Sequence, residues 1–207
     1  MSPISPLNKS QEESTQLIIV DSDDFVITKQ NIQKMYSVLK KNGSLFIISG
    51  NKYEGGILQP VFFELAEITK SCNFFLRNSI IWFLPENKFS YNDLFVNRYK
   101  TIFHFTKNVG DYFFNKDPVR EKHIWEKVEW GKRKKNYNPK GKDPGDVWLK
   151  TKDDGNAKII EHVPLSKESV VERMLLLSSI KNDEIILLLN DKKCQNMCKK
   201  HGRKFDN

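Results

Sequence analysis

The sequence predicts an α/β fold, a mostly parallel sheet flanked by helices. Three observations carry this reading. Runs rich in β-branched and aromatic residues, bounded by polar or turn residues, recur at 17–21, 44–49, 78–83, 101–106 and 185–189. Between them lie segments with apolar residues at helical spacing. The stretch from about 108 to 150, rich in Lys, Asn, Pro and Gly, breaks the alternation and is too long for an ordinary connection. At 207 residues the chain suits one domain with an insertion, and it is long enough to bury a core.

Residues 1–14 are polar, have no signal-peptide pattern and read as a flexible arm. The first strand, Leu17-Ile18-Ile19-Val20-Asp21, runs into Ser22-Asp23-Asp24, which reads as a solvated turn capping a helix that starts near Lys29. That helix carries Ile32, Met35, Tyr36, Val38 and Leu39, with Asn42-Gly43 as its stop. Gly55-Gly56 reads as a hinge before a second helix over 58–71, with Pro60 near its start. His104 sits in an aromatic strand, where a packed histidine is expected. A third helix over 166–179 takes Ser166 or Ser169 as its N-cap and turns Val170, Val171, Met174, Leu175 and Leu177 toward the sheet.

With 34 Lys and Arg against 26 Asp and Glu, the net charge is +8, which favours a polyanionic partner. The distribution sharpens this, because Lys127, Lys132, Arg133, Lys134, Lys135, Lys140 and Lys142 crowd one stretch, interleaved with Trp125, Trp130 and Tyr137. The two tryptophans suit either a small local core or a stacking platform. No apolar run approaches the ~20 residues of a membrane span. Three cysteines fit a reducing compartment better than a disulfide framework, so an intracellular location is expected, in cytoplasm, nucleoid or nucleus. Cys194, Cys198 and His201 are spaced to share a helix face, but three ligands without a fourth do not make a structural zinc site, and buried thiols are expected instead.

Several segments carry a family resemblance. Asn42-Gly43-Ser44-Leu45-Phe46-Ile47-Ile48-Ser49-Gly50-Asn51, Asn78-Ser79-Ile80-Ile81-Trp82 and Tyr99-Lys100-Thr101-Ile102-Phe103-His104-Phe105-Thr106-Lys107 resemble successive core strands of the amino-group DNA methyltransferases. Tyr112 to Glu121 and Asn138-Pro139-Lys140-Gly141-Lys142-Asp143-Pro144-Gly145-Asp146-Val147-Trp148 are similar to that family's recognition region. The order, catalytic strand first and cofactor strand last, resembles the beta class of N6-adenine and N4-cytosine enzymes. The resemblance implies an incomplete Rossmann-like, methyltransferase-type domain over 15–207, with a target-recognition-like insertion at 108–150.

Where the family carries chemistry, this chain departs from it. The first strand of such enzymes ends in Asp-Pro-Pro-Tyr, whose acceptors hold the target amine while the aromatic stacks on a flipped base. Here the corresponding residues are Asp21, Ser22, Asp23 and Asp24; an aspartate cannot stack, and its charge opposes nucleic acid. Phe25 lies one residue too late, which re-aims its side chain. The family's cofactor strand ends in a glycine-rich loop that lets the backbone approach S-adenosylmethionine. Here Leu189 leads into Asn190, Asp191, Lys192 and Lys193, without glycine. Ser166 and Lys167 stand where the family has Lys-Pro, and Lys100 replaces a glutamate. Cys198 to Phe205 resembles the helix end that follows, and the chain is expected to stop just before the strand bearing the ribose-binding acid.

The resemblance therefore implies a pseudo-methyltransferase with no cofactor and no metal, paired with an active beta-class subunit or with itself. DNA contacts are expected from Trp130, Lys132, Arg133, Lys134, Lys135, Asn138, Lys140 and Lys142. An active but divergent enzyme, a pure protein-interaction module and an RNA binder are the alternatives.

Overall fold

The computed structural model describes residues 5–85, 93–123, 137–153 and 160–205. The elements run α1 (Ser5–Lys9), β1 (Thr15–Asp21), α2 (Lys29–Val38), β2 (Leu39–Gly50), β3 (Lys52–Glu54), β4 (Ile57–Gln59), α3 (Val61–Lys70), β5 (Phe75–Phe83) and β6 (Tyr99–Thr106). They continue with a 3-10 turn (Asp117–Val119), β7 (Val147–Trp148), β8 (Lys150–Asp153), β9 (Ile160–Val163), α4 (Lys167–Ser178), β10 (Glu184–Leu188), α5 (Lys192–Lys200) and β11 (Lys204–Phe205). Seven strands form the main sheet in the order β11-β10-β1-β2-β6-β5-β7. β6 alone runs against its neighbours; the other pairings in this sheet are parallel. The expected mostly parallel α/β sheet is what forms.

Side chains alternate along a strand, so each central strand feeds two cores. Leu17 and Ile19 of β1, Phe46 and Ile48 of β2, and Ile185 and Leu187 of β10 pack against Val170, Val171, Met174 and Leu175 of α4 and Cys194 and Cys198 of α5. Ile18, Val20, Leu45, Ile47, Ile186 and Leu188 point the other way, onto Ile32, Met35 and Val38 of α2 and Leu65 and Ala66 of α3. Each fully buried aliphatic side chain contributes roughly 1.5–3 kcal/mol. The result is a three-layer helix-sheet-helix scaffold whose parallel strands deliver their C-terminal ends to one edge. His104 lies within it, stacked on Phe46 at 4.4 Å with Nε2 3.0 Å from Ser44 Oγ. Burial, aided by the charge of Arg77, pushes its pKa down to about 3, so it is a neutral core residue.

Several local expectations need correction. α2 ends at Val38, and Asn42-Gly43 lie inside β2, at an irregularity in its pairing with β1. α3 begins at Val61 because Ile57–Gln59 is captured by β3. Gly55 and Gly56, with φ of 58° and 80°, make the tight turn of that hairpin and are not a hinge. The arm expected over residues 1–14 is tied down from residue 5: Leu7 is fully buried, and the Glu13 amide donates to the Ser37 carbonyl. A strand does follow α5, since Lys204 and Phe205 pair with Glu184 and Ile185. Within 108–150, Val147 and Trp148 join the main sheet against Ile81 and Trp82. Among the described residues no helix is long and apolar enough to cross a membrane.

Candidate functional site

In an open α/β sheet the C-terminal ends of the parallel strands form the natural ligand edge. There β1 ends at Asp21 and β10 gives way to Asn190. Asp21 is fully buried. Its carbonyl accepts the amides of Asp24 and Phe25, and its Oδ1 accepts that of Asp23 at 3.1 Å, closing the chain into a tight turn. The Ser22 amide donates to the Ile48 carbonyl, fixing the turn to β2.

Two lysines meet this turn, each for a topological reason. β6 runs antiparallel to β2, with Lys100 opposite Gly50, so the start of β6 lies where β2 ends. Lys100 Nζ sits 2.8 Å from Asp23 Oδ2 and 3.4 Å from Asp21 Oδ1. Lys167 opens α4, whose N-terminus is fixed by Ser166 Oγ accepting the Ser169 amide. Its Nζ lies 2.7 Å from Asp21 Oδ2, as an ion pair without directed hydrogen-bond geometry, and donates to Asp24 Oδ2 at 2.9 Å. That same Asp24 oxygen accepts the Asn190 amide at 3.0 Å, stitching the loop after β1 to the loop after β10.

Electrostatics agree with the geometry. Burial opposes ionisation of Asp24, but the Lys167 and Asn190 hydrogen bonds and the two lysine charges outweigh it and hold the carboxyl below its ordinary range. Burial likewise opposes the charge on Lys167, and the close carboxylates of Asp21 and Asp24 reverse that and raise its pKa. The expectation of a solvated capping turn holds in part: Ser22 to Asp24 form a turn whose two aspartates are exposed and pair with lysines, but α2 is capped by Thr28, whose side chain accepts the Asn31 amide.

In the loop after β10, Asp191 folds its carboxylate back onto the amides of Lys193 and Cys194 as the N-cap of α5. Lys193 is exposed and 3.7 Å from Glu168. Burial, with Asp191 nearby, pushes the Cys194 thiol up to about 12, and burial does the same to Cys198. His201 turns away to Glu172, 2.6 Å off.

The recognition-type segment is described only in part. Trp130, Lys132, Arg133, Lys134 and Lys135 lie outside the described residues, as do Trp125 and Lys127. Asn138 is a turn former: its Oδ1 accepts the Lys140 amide and its carbonyl the Gly141 amide. Lys140 is ion-paired to Asp117, which Arg120 also contacts at 3.0 Å. The exposed Lys142 pairs its backbone with that of Glu121. This bridge needs Gly141, at φ +113°, because a Cβ there would lie 2.6 Å from the Glu121 carbonyl. Sequence reading placed these three together and gave all of them to DNA; here Asn138 Oδ1 is engaged in its own turn, while Lys140, paired to Asp117, and Lys142 remain exposed. It also missed that Lys100 and Lys167 converge on Asp21. The signal was present as a lysine in place of an acid on β6, opposite a loop that had gained acids.

Comparison with known proteins agrees with the fold and the sequence order. Residues 10–187 match the DNA methylase family model of N6- and N4-type enzymes. The type II methyltransferase M.BglII of Bacillus subtilis is 31% identical over 161 residues, 75% of this chain and 44% of that protein. This chain therefore spans less than half the length of that curated relative. A protein of Thermus thermophilus assigned as a DNA modification methylase superposes with a TM-score of 0.62 at 16% identity, covering 98% of this chain and 84% of that one. The cytosine-N4-specific PvuII DNA methyltransferase superposes with a TM-score of 0.63 at 14% identity, over 96% and 76%. At such identities the superpositions establish the fold.

Proposed function

The chain belongs to the DNA methylase family, and from that premise we propose that it is a non-catalytic subunit, a pseudo-methyltransferase that contributes DNA contacts beside an active partner. The observation that carries this reading is the closed cluster of Asp21, Asp23, Asp24, Lys100, Lys167 and the Asn190 amide. A catalytic acceptor must offer an oxygen to an incoming exocyclic amine. Here both Asp21 oxygens already face ammonium groups, and Phe25, the aromatic residue of the loop, is buried in the core against α2 and does not stand free to stack on a base.

The residues at the end of β10 do not fit S-adenosylmethionine. Backbone approach to that cofactor calls for a loop free of side chains and of internal bonds. This one carries Asn190 and Asp191, its Asn190 amide is taken by Asp24, and the Asp191 carboxylate caps its own helix. Methyl transfer would then fall to a complete enzyme bound to this chain. Exposed apolar side chains at Ile57, Leu58 and Phe63, on β4 and α3, support an interface with that enzyme or with a second copy. The net charge of +8 and the family support DNA as the polyanion, and hence an intracellular setting.

Methyl incorporation into DNA from labelled S-adenosylmethionine tests this, with the chain alone, a co-encoded beta-class methyltransferase alone, and the two together. No incorporation by the chain alone is expected, and in the mixture a co-purifying complex with tighter DNA binding than the enzyme alone. Incorporation by the isolated chain, abolished by Asp21→Ala, would establish the divergent-enzyme reading instead. A complex whose DNA affinity equals that of the partner alone would establish the interaction module.

A further inference from the structure

We propose that the cavity between the recognition-type segment, the β8 strand and α4 is a phosphate-binding pocket. It encloses about 320 Å³ and is lined by Lys122, Lys142, Lys150 and Arg173, with Glu121 and Thr151. Among the described residues, Lys142, Lys150 and Arg173 share this space with the Glu121 carboxylate, and Lys122 borders it. That carboxylate is already engaged, since Glu121 Oε1 accepts from Arg173 Nη2 at 2.7 Å. Lys142 and Lys150 then have no carboxylate partner among the described residues, so the wall keeps an excess of positive charge.

Arg173 supplies a second, independent sign. Its guanidinium lies over the Trp148 ring, 5.6 Å from the centroid, and is fixed from the other side by Glu121. So held, its Nη1 is buried and has no hydrogen-bond partner among the described residues. Buried donors of this kind are rare and call for an acceptor. A guanidinium with one nitrogen bonded and another lacking an acceptor is suited to an anion with several oxygens. Lys142, Lys150 and the Thr151 hydroxyl are on hand for the remaining oxygens of a phosphate.

The source of the phosphate is either a nucleic-acid backbone or a free phosphorylated ligand, and the shared chemistry is the same. The backbone is the favoured source, which rests on the reading that this chain contributes DNA contacts; the preference for an anion rests on the pocket alone.

Two probes separate these, applied to the full chain and to the K142Q/K150Q variant, whose replaced side chains are both exposed. Inorganic phosphate is titrated at constant ionic strength against chloride, following the Trp148 indole signal by nuclear magnetic resonance. Duplex DNA of mixed sequence is titrated at several salt concentrations, with K70Q on α3 as a control. The wild-type indole should shift with phosphate and not with chloride, and the variant's phosphate affinity should fall at least tenfold. DNA binding by the variant should weaken several-fold for every sequence, with the salt slope reduced by about one counterion. Loss of phosphate affinity with unchanged DNA binding would also support the pocket and identify a free phosphorylated ligand as its occupant. A wild-type chain with no phosphate-specific shift, or a variant that binds phosphate as the wild type does, overturns the proposal. Neither probe involves S-adenosylmethionine, so failure here leaves the non-catalytic reading standing, and cofactor binding would leave the pocket standing.

Discussion

The bodies of β1 and β10 and the loops that leave them are held by different forces. Leu17 to Val20 and Ile185 to Leu188 lie side by side in parallel register, apolar and buried, and each residue packs on a helix of one layer or the other. One or two residues further on, the same strands end in Asp21 to Asp24 and in Asn190 and Asp191, and there the contacts are ion pairs and amide-carboxylate bonds. The difference places the apolar core in the strand bodies and the ionic contacts in the loops. Apolar packing holds the methyltransferase-type sheet together, while the loops bond to one another.

The largest expected effect lies in the scaffold. Phe46→Ala removes a fully buried ring that also stacks on His104, and should cost about 4 kcal/mol in urea unfolding. A cost under about 1 kcal/mol would mean that the sheet core is not what holds the fold.

Somewhat smaller is the loop cluster. Lys167→Met leaves Asp21 buried with only Lys100 at 3.4 Å, and removing one partner of a buried pair should cost about 3 kcal/mol. In a double-mutant cycle with Asp24→Asn the two changes should couple by about 1 kcal/mol or more. Additive effects would reduce the cluster to independent surface pairs and blur the contrast.

Acid titration distinguishes the regions by pH. His104 has its folded pKa lowered to about 3, so the stability it contributes is complete above its ordinary value near 6.5 and is lost as pH falls toward 3. Asp24 is also lowered, and its contribution is lost only below the ordinary carboxylate range. Lys167 is raised, so its contribution is present below the ordinary lysine value and lost as pH rises through the higher folded one. Wild-type stability should therefore begin to fall near pH 6.5, and in a His104→Phe variant the fall should start near pH 4. An unchanged onset would contradict a neutral buried His104.

The smallest effect is chemical. Cys194 and Cys198, each pushed up to about 12 by burial, should resist alkylation by iodoacetamide at pH 8 in the folded chain and react readily once unfolded. Fast native labelling would place α5 away from the sheet.

Legibility in the sequence follows the same division. The five predicted strands and α4, with Ser166 as its cap, were readable because continuous β-branched and aromatic runs, buried on both faces, and helical-period burial leave a local trace. The hairpin around Gly55-Gly56 was not, since it makes three-residue strands too short for any period. Neither was β7, whose two residues pair with Ile81 and Trp82 across more than sixty positions. At the candidate site the altered motifs were visible residue by residue. Their repair was not: Asp24 and Lys167 are 143 residues apart, and such a pair leaves no local pattern.

Calorimetry of S-adenosylmethionine with the isolated chain tests the central claim most directly. With the Asn190 amide bonded to Asp24 and both Asp21 oxygens facing lysines, no saturable heat is expected up to millimolar cofactor. Stoichiometric micromolar binding would contradict the claim and return the chain to the working methyltransferases.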